Sequence, residues 1–267
     1  MLRLYASAMY KPVTALIHCR RARERASIYP MRRLSRRVFN LAATSLVAAP
    51  HLAWPASDKV PKSLDHIILG CNDLDAGVEY VYERTGVRAA AGGVHPGAGT
   101  KNALLSLGTL RYMEIIAPDP MQPASTDPRQ VASLKNPALV GWAIHRHDVK
   151  KFASVLQADG IECVGPKPGS RARPDGTTLT WASLTLKDDK DGVLPFFIEW
   201  DSNSLHPSVD APAGCHLTDL WIGAPQPVGL QTLGAKLQLG VEIRQSNELR
   251  LAATIVGPKG SLSLISR

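Results

Sequence analysis

The sequence predicts an α+β fold in which one strand–helix–strand pattern is used repeatedly. A β-branched run at residues 64–70 (LDHIILG) precedes an amphipathic segment that begins after Asp73. The same order returns at residue 138, with Asp148 before the second amphipathic segment. The chain also has 20 prolines, 21 glycines and only 6% aromatic residues among its 267 residues, which favours short strands joined by turns.

The first 56 residues differ in charge from the rest of the chain. They contain ten basic residues and one acid, Glu24, whereas the remaining 211 residues carry 21 basic and 22 acidic side chains. The sequence pI near 9.5 therefore arises from this leader. The body carries a net charge of −1, so it gives no electrostatic reason to expect a nucleic-acid partner.

Residues 31–56 have the layout of an export signal: a basic stretch, an uncharged run from residue 38, and then polar sequence. The residues before the run, SRRVF at 35–39, resemble a twin-arginine signal. Because prolines and polar residues interrupt the run, we expect no stable membrane anchor. We expect export by the twin-arginine translocase to the periplasm or the exterior, with a transit peptide or a disordered tail as alternatives. The sequence leaves open the cleavage site (after Ala49 or Ala56) and the start (Met1 or Met31).

The elements of the first unit follow in order from this pattern. A strand at 64–70 ends at Gly70, and a helix at 74–85 begins after Asp73 and ends at Gly86. A short strand is expected near residues 87–91, followed by a glycine-rich loop at 92–99. Residues 102–107 and 110–116 then form a hairpin.

The second unit repeats this order, and a weaker third copy follows. The second has a strand at 138–145, a helix at 149–158, a short extended segment at 161–164 and a hairpin of 178–186 with 194–200. The third has a strand at 217–222, a helix at 228–237 and strands at 240–244, 249–256 and 261–265. No long linker divides the body, so we predict one domain over 62–267, with units at 62–120, 136–207 and 214–267.

Short motifs in the first two units resemble those of the glyoxalase-like domain family in the vicinal oxygen chelate superfamily. In the first unit they are LDH at 64–66, DLD at 73–75, ERTG at 83–86, GVHPG at 93–97, GTKNA at 99–103 and YMEIIAP at 112–118. In the second they are SRARPDG at 170–176, LPFFIEW at 194–200 and HP at 206–207. The resemblance implies paired βαβββ modules that form a curved mixed sheet with a concave cup, with helices on its outer face. The third unit would be a partial βαββ copy.

Strand alternation and the resemblance together nominate metal ligands. Alternation places His66 on one face of its strand with Ile68, and Glu114 on one face of its strand with Tyr112. The superfamily places ligands on the first and last strands of each module, which implies His66, Glu114 and Glu199. The donors would suit a divalent ion such as Mn, Fe or Mg, with Zn or Ni as further candidates. The fourth position falls on Gly141, which cannot bind metal, so the alternative is a metal-free pocket in which His66 hydrogen-bonds Glu114.

The same cup would hold a small-molecule ligand or substrate. We expect Tyr112, Trp142, Trp181 and Asn102 to line it. Arg171 and Arg173, near a turn, would grip a carboxylate or phosphate. Glu114, or His95 from a loop that closes over the mouth, would move protons.

Two functions follow from this interpretation. One is a metal-dependent isomerase, lyase or dioxygenase that acts on a vicinal-oxygen substrate, and the other is a metal-free binding or sequestering protein. The sequence does not choose between a monomer and a homodimer, and it does not give the substrate.

Overall fold

The structure, a computed structural model, describes residues 59–123, 129–173 and 175–267. The predicted export signal and the rest of the leader lie outside these residues. No helix within the described ranges has the length and apolar character needed to span a bilayer. In chain order the elements are β1 (Leu64–Gly70), α1 (Leu74–Thr85), β2 (Ala90–His95), β3 (Thr100–Gly108), β4 (Arg111–Pro118), a 3-10 helix (Val131–Ser133), β5 (Ala138–His145), α2 (Val149–Ala158), β6 (Cys163–Ala172), β7 (Thr178–Leu186), β8 (Phe196–Trp200), β9 (His216–Ala224), α3 (Pro227–Lys236), β10 (Glu242–Gln245), β11 (Arg250–Gly257) and β12 (Gly260–Ile265).

Both predicted helix starts are confirmed by their capping hydrogen bonds. The Asp73 side chain accepts from the backbone N–H of Ala76 at 2.8 Å, and Asp148 accepts from that of Lys151 at 2.9 Å. Gly86 ends α1 in the left-handed conformation with φ of 81°.

Eight strands form one mixed sheet in the order β2-β3-β4-β1-β5-β8-β7-β6. In each module the first strand pairs in parallel with the last, as β1 does with β4 and β5 with β8. Antiparallel pairing of β1 with β5 joins the two modules. The predicted α+β fold of paired βαβββ modules is confirmed.

The glycine-rich segment differs from its prediction as a loop. Residues 92–95 belong to β2, which pairs with β3, and β6 continues to Ala172, so Arg171 lies in a strand. The sheet curls until its two edge strands meet, where the Arg171 guanidinium donates to the Gly92 carbonyl. A Cβ on Gly93, whose φ is 142°, would lie 2.5 Å from the Ala172 carbonyl oxygen. Position 93 therefore needs a glycine because the backbone of β6 comes so close, and not because the segment is a loop.

The third unit has the predicted order of a strand, a helix and strands, but it forms a separate sheet. Its strand order is β10-β9-β11-β12, and β9 pairs in parallel with β10, the strand that directly follows its helix. In the two modules the first strand pairs in parallel with the last strand instead. Helix α1 contacts both sheets, and one continuous hydrophobic core includes residues of both.

Candidate functional site

The centre of the concave face is formed by His66 on β1 and Glu114 on β4. Alternation holds in these strands: Ile67, Met113 and Ile115 pack in the main core on the helix side, as expected. His66 is 2% exposed and Glu114 is 7% exposed. His66 Nε2 lies 3.9 Å from Glu114 Oε2. The structure therefore brings these two predicted residues together.

Asp65 holds the other side of the His66 ring. The register of β1 against β5 shifts between Leu64 and His66, and the consecutive side chains of Asp65 and His66 contact each other. His66 Nδ1 donates to Asp65 Oδ1 at 2.7 Å. The other oxygen, Oδ2, accepts from Trp200 Nε1 at 2.9 Å and from His206 Nε2 at 3.3 Å.

Asp65 is ionised within this network. Burial alone would raise the pKa of Asp65, but hydrogen bonds from His145, His206 and His66 hold it well below its usual value. An ionised carboxylate only accepts, so the hydrogen on His66 lies on Nδ1. In the neutral ring the lone pair is then on Nε2, which faces Glu114.

Glu114 is held in the same way on its far side. Its Oε1 accepts from Asn102 Nδ2 at 2.7 Å and from His95 Nε2 at 3.2 Å. Burial raises the pKa of Glu114, but the hydrogen bond and charge of His95 and the charge of His66 lower it well below the usual range. Thr100 Oγ1 lies 2.9 Å from His95 Nδ1 and orients that ring. His95 thus lies at the end of β2 against Glu114, not in the predicted flexible loop.

The third predicted metal ligand, Glu199, does not join them. Its two oxygens accept from the backbone N–H groups of Asp148 and Val149, at 2.9 and 3.0 Å, so it caps the start of α2. Alternation places the Glu199 side chain opposite its neighbours Ile198 and Trp200, on the helix side of β8. Gly141 offers no donor from β5.

The described residues do not form the predicted three-ligand metal site. Across residues 59–123, 129–173 and 175–267, no group of three or more His, Cys, Asp or Glu side chains is arranged to hold one. Only His66 and Glu114 of the nominated ligands face each other, and a stable site requires more ligands than these two.

The expected lining residues are divided between the two faces of the sheet. Tyr112 stacks on the His66 ring with centroids 4.5 Å apart, and Asn102 contacts Glu114. Burial, followed by the charges of Asp65 and Glu114, raises the pKa of Tyr112 well above its usual value. Trp142 does not line the cup: it is fully buried in the core on the helix side, where Nε1 donates to the Val193 carbonyl at 2.8 Å.

The two arginines lie where the sheet edges meet. Arg171 is 4% exposed and interacts electrostatically with Glu114 and Tyr112, which raise its pKa against the larger lowering by burial. Arg173 forms ion pairs with Asp210 and Asp175. A cleft of about 160 Å³ beside them is lined by Arg171, Arg173, Leu179 and backbone of β2.

An apolar cluster fills the part of the concave face beside β1 and β4. Ile68 and Ile116 pack there against Val131 and Leu134, from the 3-10 helix and the residue after it, and against Val140. His66 and Glu114 line neither the 160 Å³ cleft beside the two arginines nor a second, larger groove near Trp181 and Trp200. Both side chains are therefore covered by the chain itself.

Comparison with known protein families shows the family to which the chain belongs. The model of the family described as Glyoxalase-like domain matches residues 64–237, which is more than half of the chain. The chain belongs to the glyoxalase-like domain family. The predicted membership of the glyoxalase-like domain family is thereby confirmed.

Several solved structures are similar to this chain at low sequence identity. A hypothetical protein from Staphylococcus aureus is 17% identical with a TM-score of 0.52, and the match covers 76% of this chain and 85% of that one. Methylmalonyl-CoA epimerase from Mycobacterium tuberculosis is 18% identical with a TM-score of 0.37, over 56% of this chain and 92% of the epimerase. A methylmalonyl-CoA epimerase in complex with methylmalonyl-CoA and NH4+ is 22% identical with a TM-score of 0.40, over 54% and 98%. No curated protein matches this glyoxalase-like chain.

The sequence does not nominate Asp65 or Trp200 for this site. Asp65 lies in an apolar run immediately before His66, and a buried acid beside a histidine is a signal that the sequence contains. Strict alternation assigned Asp65 to the opposite face. The register shift that joins the two side chains is not visible in the sequence.

Proposed function

We propose that this glyoxalase-like protein is an isomerase or lyase that transfers a proton on a small molecule without a metal ion. One observation carries the proposal: His66 Nε2 and Glu114 Oε2 face each other inside the curled sheet. On the side away from this contact, a hydrogen bond holds each of the two side chains in place. Buried titratable groups whose pKa values are shifted by specific charge partners occur preferentially at functional sites.

The step assigned to His66 is proton abstraction. Because His66 and Glu114 are buried, this step requires the residues that cover them to move so that a substrate reaches Nε2. Nε2 takes a proton from a carbon next to a substrate carbonyl, whose oxygen receives the electron pair and becomes an enolate. The resulting imidazolium lies between two carboxylates, Asp65 and Glu114, which stabilise it. Arg171, which interacts electrostatically with Glu114, is the positive charge that we assign to stabilisation of the enolate. Return of the proton at another position gives an isomer, and loss of a group from the adjacent carbon gives a lyase product.

Solvent exchange tests this chemistry. The full chain is incubated in D2O with pyruvate, 2-oxobutyrate or hydroxyacetone, and deuterium incorporation beside the carbonyl is followed by NMR. We expect at least one probe to exchange about 100-fold faster than in buffer. His66→Gln should lose this acceleration, whereas His147→Gln, which changes an exposed histidine, should keep it. No acceleration with any probe, or equal rates in both variants, would contradict the proposal and favour a binding protein without catalysis.

Elemental analysis separates this proposal from the metal-dependent alternative. The untagged chain is purified and analysed by mass spectrometry beside a His66→Ala variant. We expect no stoichiometric metal in either protein. Near-stoichiometric Mn, Fe, Mg, Zn or Ni that disappears in the variant would overturn the metal-independent mechanism.

We further propose that the protein is exported by the twin-arginine translocase. The SRRVF sequence at 35–39 before an uncharged run supports this. In a bacterial host with this translocase, Arg36→Lys with Arg37→Lys should retain the chain in the cytoplasm. The matched pair Arg32→Lys with Arg33→Lys should still be exported, and equal export of both pairs would sink the proposal.

A further inference from the structure

An open groove of about 970 Å³ crosses β6, β7 and β8 at the end of the sheet away from the apolar cluster. This volume is within the range of small-molecule sites. Its lining combines two tryptophans with polar and acidic groups: His145, His147, Ser170, Thr180, Trp181, Glu199, Trp200, Asp201 and Ser202, with Pro168, Gly169 and Ala182.

The two tryptophans form a preformed aromatic surface. Trp181 and Trp200 are cross-strand partners, with ring centroids 5.5 Å apart and an angle of 58° between the rings. Trp181 lies against β6 so closely that a Cβ on Gly169 would be 2.5 Å from its ring. Trp200 is fixed by its hydrogen bond to Asp65. These contacts fix the positions of both rings. Both rings are also partly exposed, so part of each remains open to a ligand.

The charge of the groove is acidic. Glu199 and Asp201 line it, and no Lys or Arg is among its described lining residues. Hydrogen bonds hold both carboxylates in place, since Glu199 accepts from the start of α2 and Asp201 accepts from the backbone of Asn203. A phosphate or carboxylate ligand would meet Asp201 without a cationic partner, whereas a cation gains both this carboxylate and the aromatic faces.

We propose that this groove binds a small molecule that combines a flat ring with a positive charge. The ring packs on Trp181 and Trp200, and the cationic group lies toward Asp201, because both Glu199 oxygens are bound by the start of α2 on the other face of β8. This site is separate from the His66–Glu114 pair and does not depend on the proposed proton transfer.

Three probes with the same ring and different charge test the proposal: phenethylamine, phenethyl alcohol and 3-phenylpropionate. Their binding to the full chain is measured by calorimetry and by tryptophan fluorescence at neutral pH. We expect phenethylamine to bind at least fivefold more tightly than the alcohol, and 3-phenylpropionate to bind most weakly. Equal affinity for all three, no binding, or preference for the carboxylate would overturn the proposal.

Two variants assign the binding to the groove. Trp181→Ala should weaken phenethylamine at least tenfold, whereas Trp221→Ala should leave it unchanged, because Trp221 lies in the other sheet beneath Arg244. Asp201→Asn changes an exposed side chain that is not expected to affect folding, and it should reduce the preference for the amine over the alcohol. Unchanged affinity in Trp181→Ala and unchanged preference in Asp201→Asn would each contradict the assignment. Neither result bears on the exchange test of His66.

Discussion

Asp65 is the residue on which the interior polar network depends. It is fully buried and contacts three histidines and a tryptophan, which come from β1, β5, β8 and the loop that follows β8. Replacing it leaves several buried donors without an acceptor, and such losses cost more than the hydrogen bonds themselves contribute.

We expect Asp65→Asn to lower the free energy of unfolding by about 3 kcal/mol, because a buried charged acceptor is lost. Urea denaturation measures the change. Asp75→Asn, which alters an exposed acid in the first turn of α1, should change the free energy by less than about 0.5 kcal/mol. A similar small effect for both variants would show that the network contributes little to stability.

The two interior carboxylates also predict a pH dependence of stability. The folded-state pKa values of Asp65 and Glu114 lie below their usual values, so the unfolded chain binds more protons in acid. Their contribution is complete above the usual carboxyl pKa and is lost as the pH falls below about 4 toward the lower folded values. Urea denaturation from pH 7 to pH 3 should show this loss, with a shallower slope in Glu114→Gln than in the parent. The same slope in both proteins would refute the assignment of low pKa to Glu114.

At the scale of single residues the sequence predicts the pairing of His66, Glu114 and Tyr112, because alternation applies in β4 and, from His66 onward, in β1. It does not predict Asp65, whose register shift depends on pairing with β5. Glu199 illustrates a different limit: an acid in an apolar strand has two explanations, a ligand or a helix cap, and only the position of α2 decides between them.

Among the elements, α2 depends on two acidic side chains at its start. Besides Asp148, Glu199 binds the first backbone N–H groups, where a negative charge also interacts favourably with the helix dipole. We expect Glu199→Ala to cost about 1 kcal/mol of stability. The exposed control Glu83→Ala should cost less than about 0.5 kcal/mol in the same denaturation measurement. Loss of bound metal in Glu199→Ala, without loss of stability, would instead restore its role as a ligand.

The contact between β2 and β6 predicts an unequal effect of two glycine substitutions. Gly93→Ala adds a Cβ 2.5 Å from the Ala172 oxygen at a φ of 142°, whereas Gly97→Ala meets nothing within 4 Å. We expect costs of about 3 kcal/mol for Gly93→Ala and about 1 kcal/mol for Gly97→Ala. Thermal unfolding followed by circular dichroism compares them. Equal midpoints would mean that the sheet edges are not tightly packed.

Capping aspartates and the glycines that follow make α1 and α2 predictable because those signals are local. The strand β2 is not, since its glycines are equally typical of a loop. Only the arrival of β6, far away in sequence, requires residues without a Cβ at this point.

For the whole molecule, the shared core predicts a single unfolding transition. Residues of both sheets belong to one hydrophobic cluster, which includes Ile67, Leu220 and Leu251. Leu220→Ala, in the smaller sheet, should lower the midpoint of the complete transition with a cost of about 3 kcal/mol. Tryptophan fluorescence and circular dichroism should report the same midpoint. Two separated transitions would mean that the smaller sheet unfolds independently.

The repeated pattern predicts the elements of the whole body, including those of the third unit. Its strand order is not predictable in this way. The pattern specifies which segments are strands, whereas the choice of a separate sheet depends on packing against α1 and the convex face of the larger sheet.

The meeting of β2 and β6 also has a consequence for self-association. Each of these terminal strands lies against the other, so neither offers its backbone to a strand from a second molecule, which is a common route to aggregation. In the described part of the chain, the strands with an open backbone edge are instead β10 and β12, the outer strands of the smaller sheet. β10 has only four residues, with Glu242 and Arg244 among them, and both short length and charge discourage intermolecular strand pairing. The curled sheet thus protects its own ends, and in the smaller sheet β10 is protected by its short length and its charge.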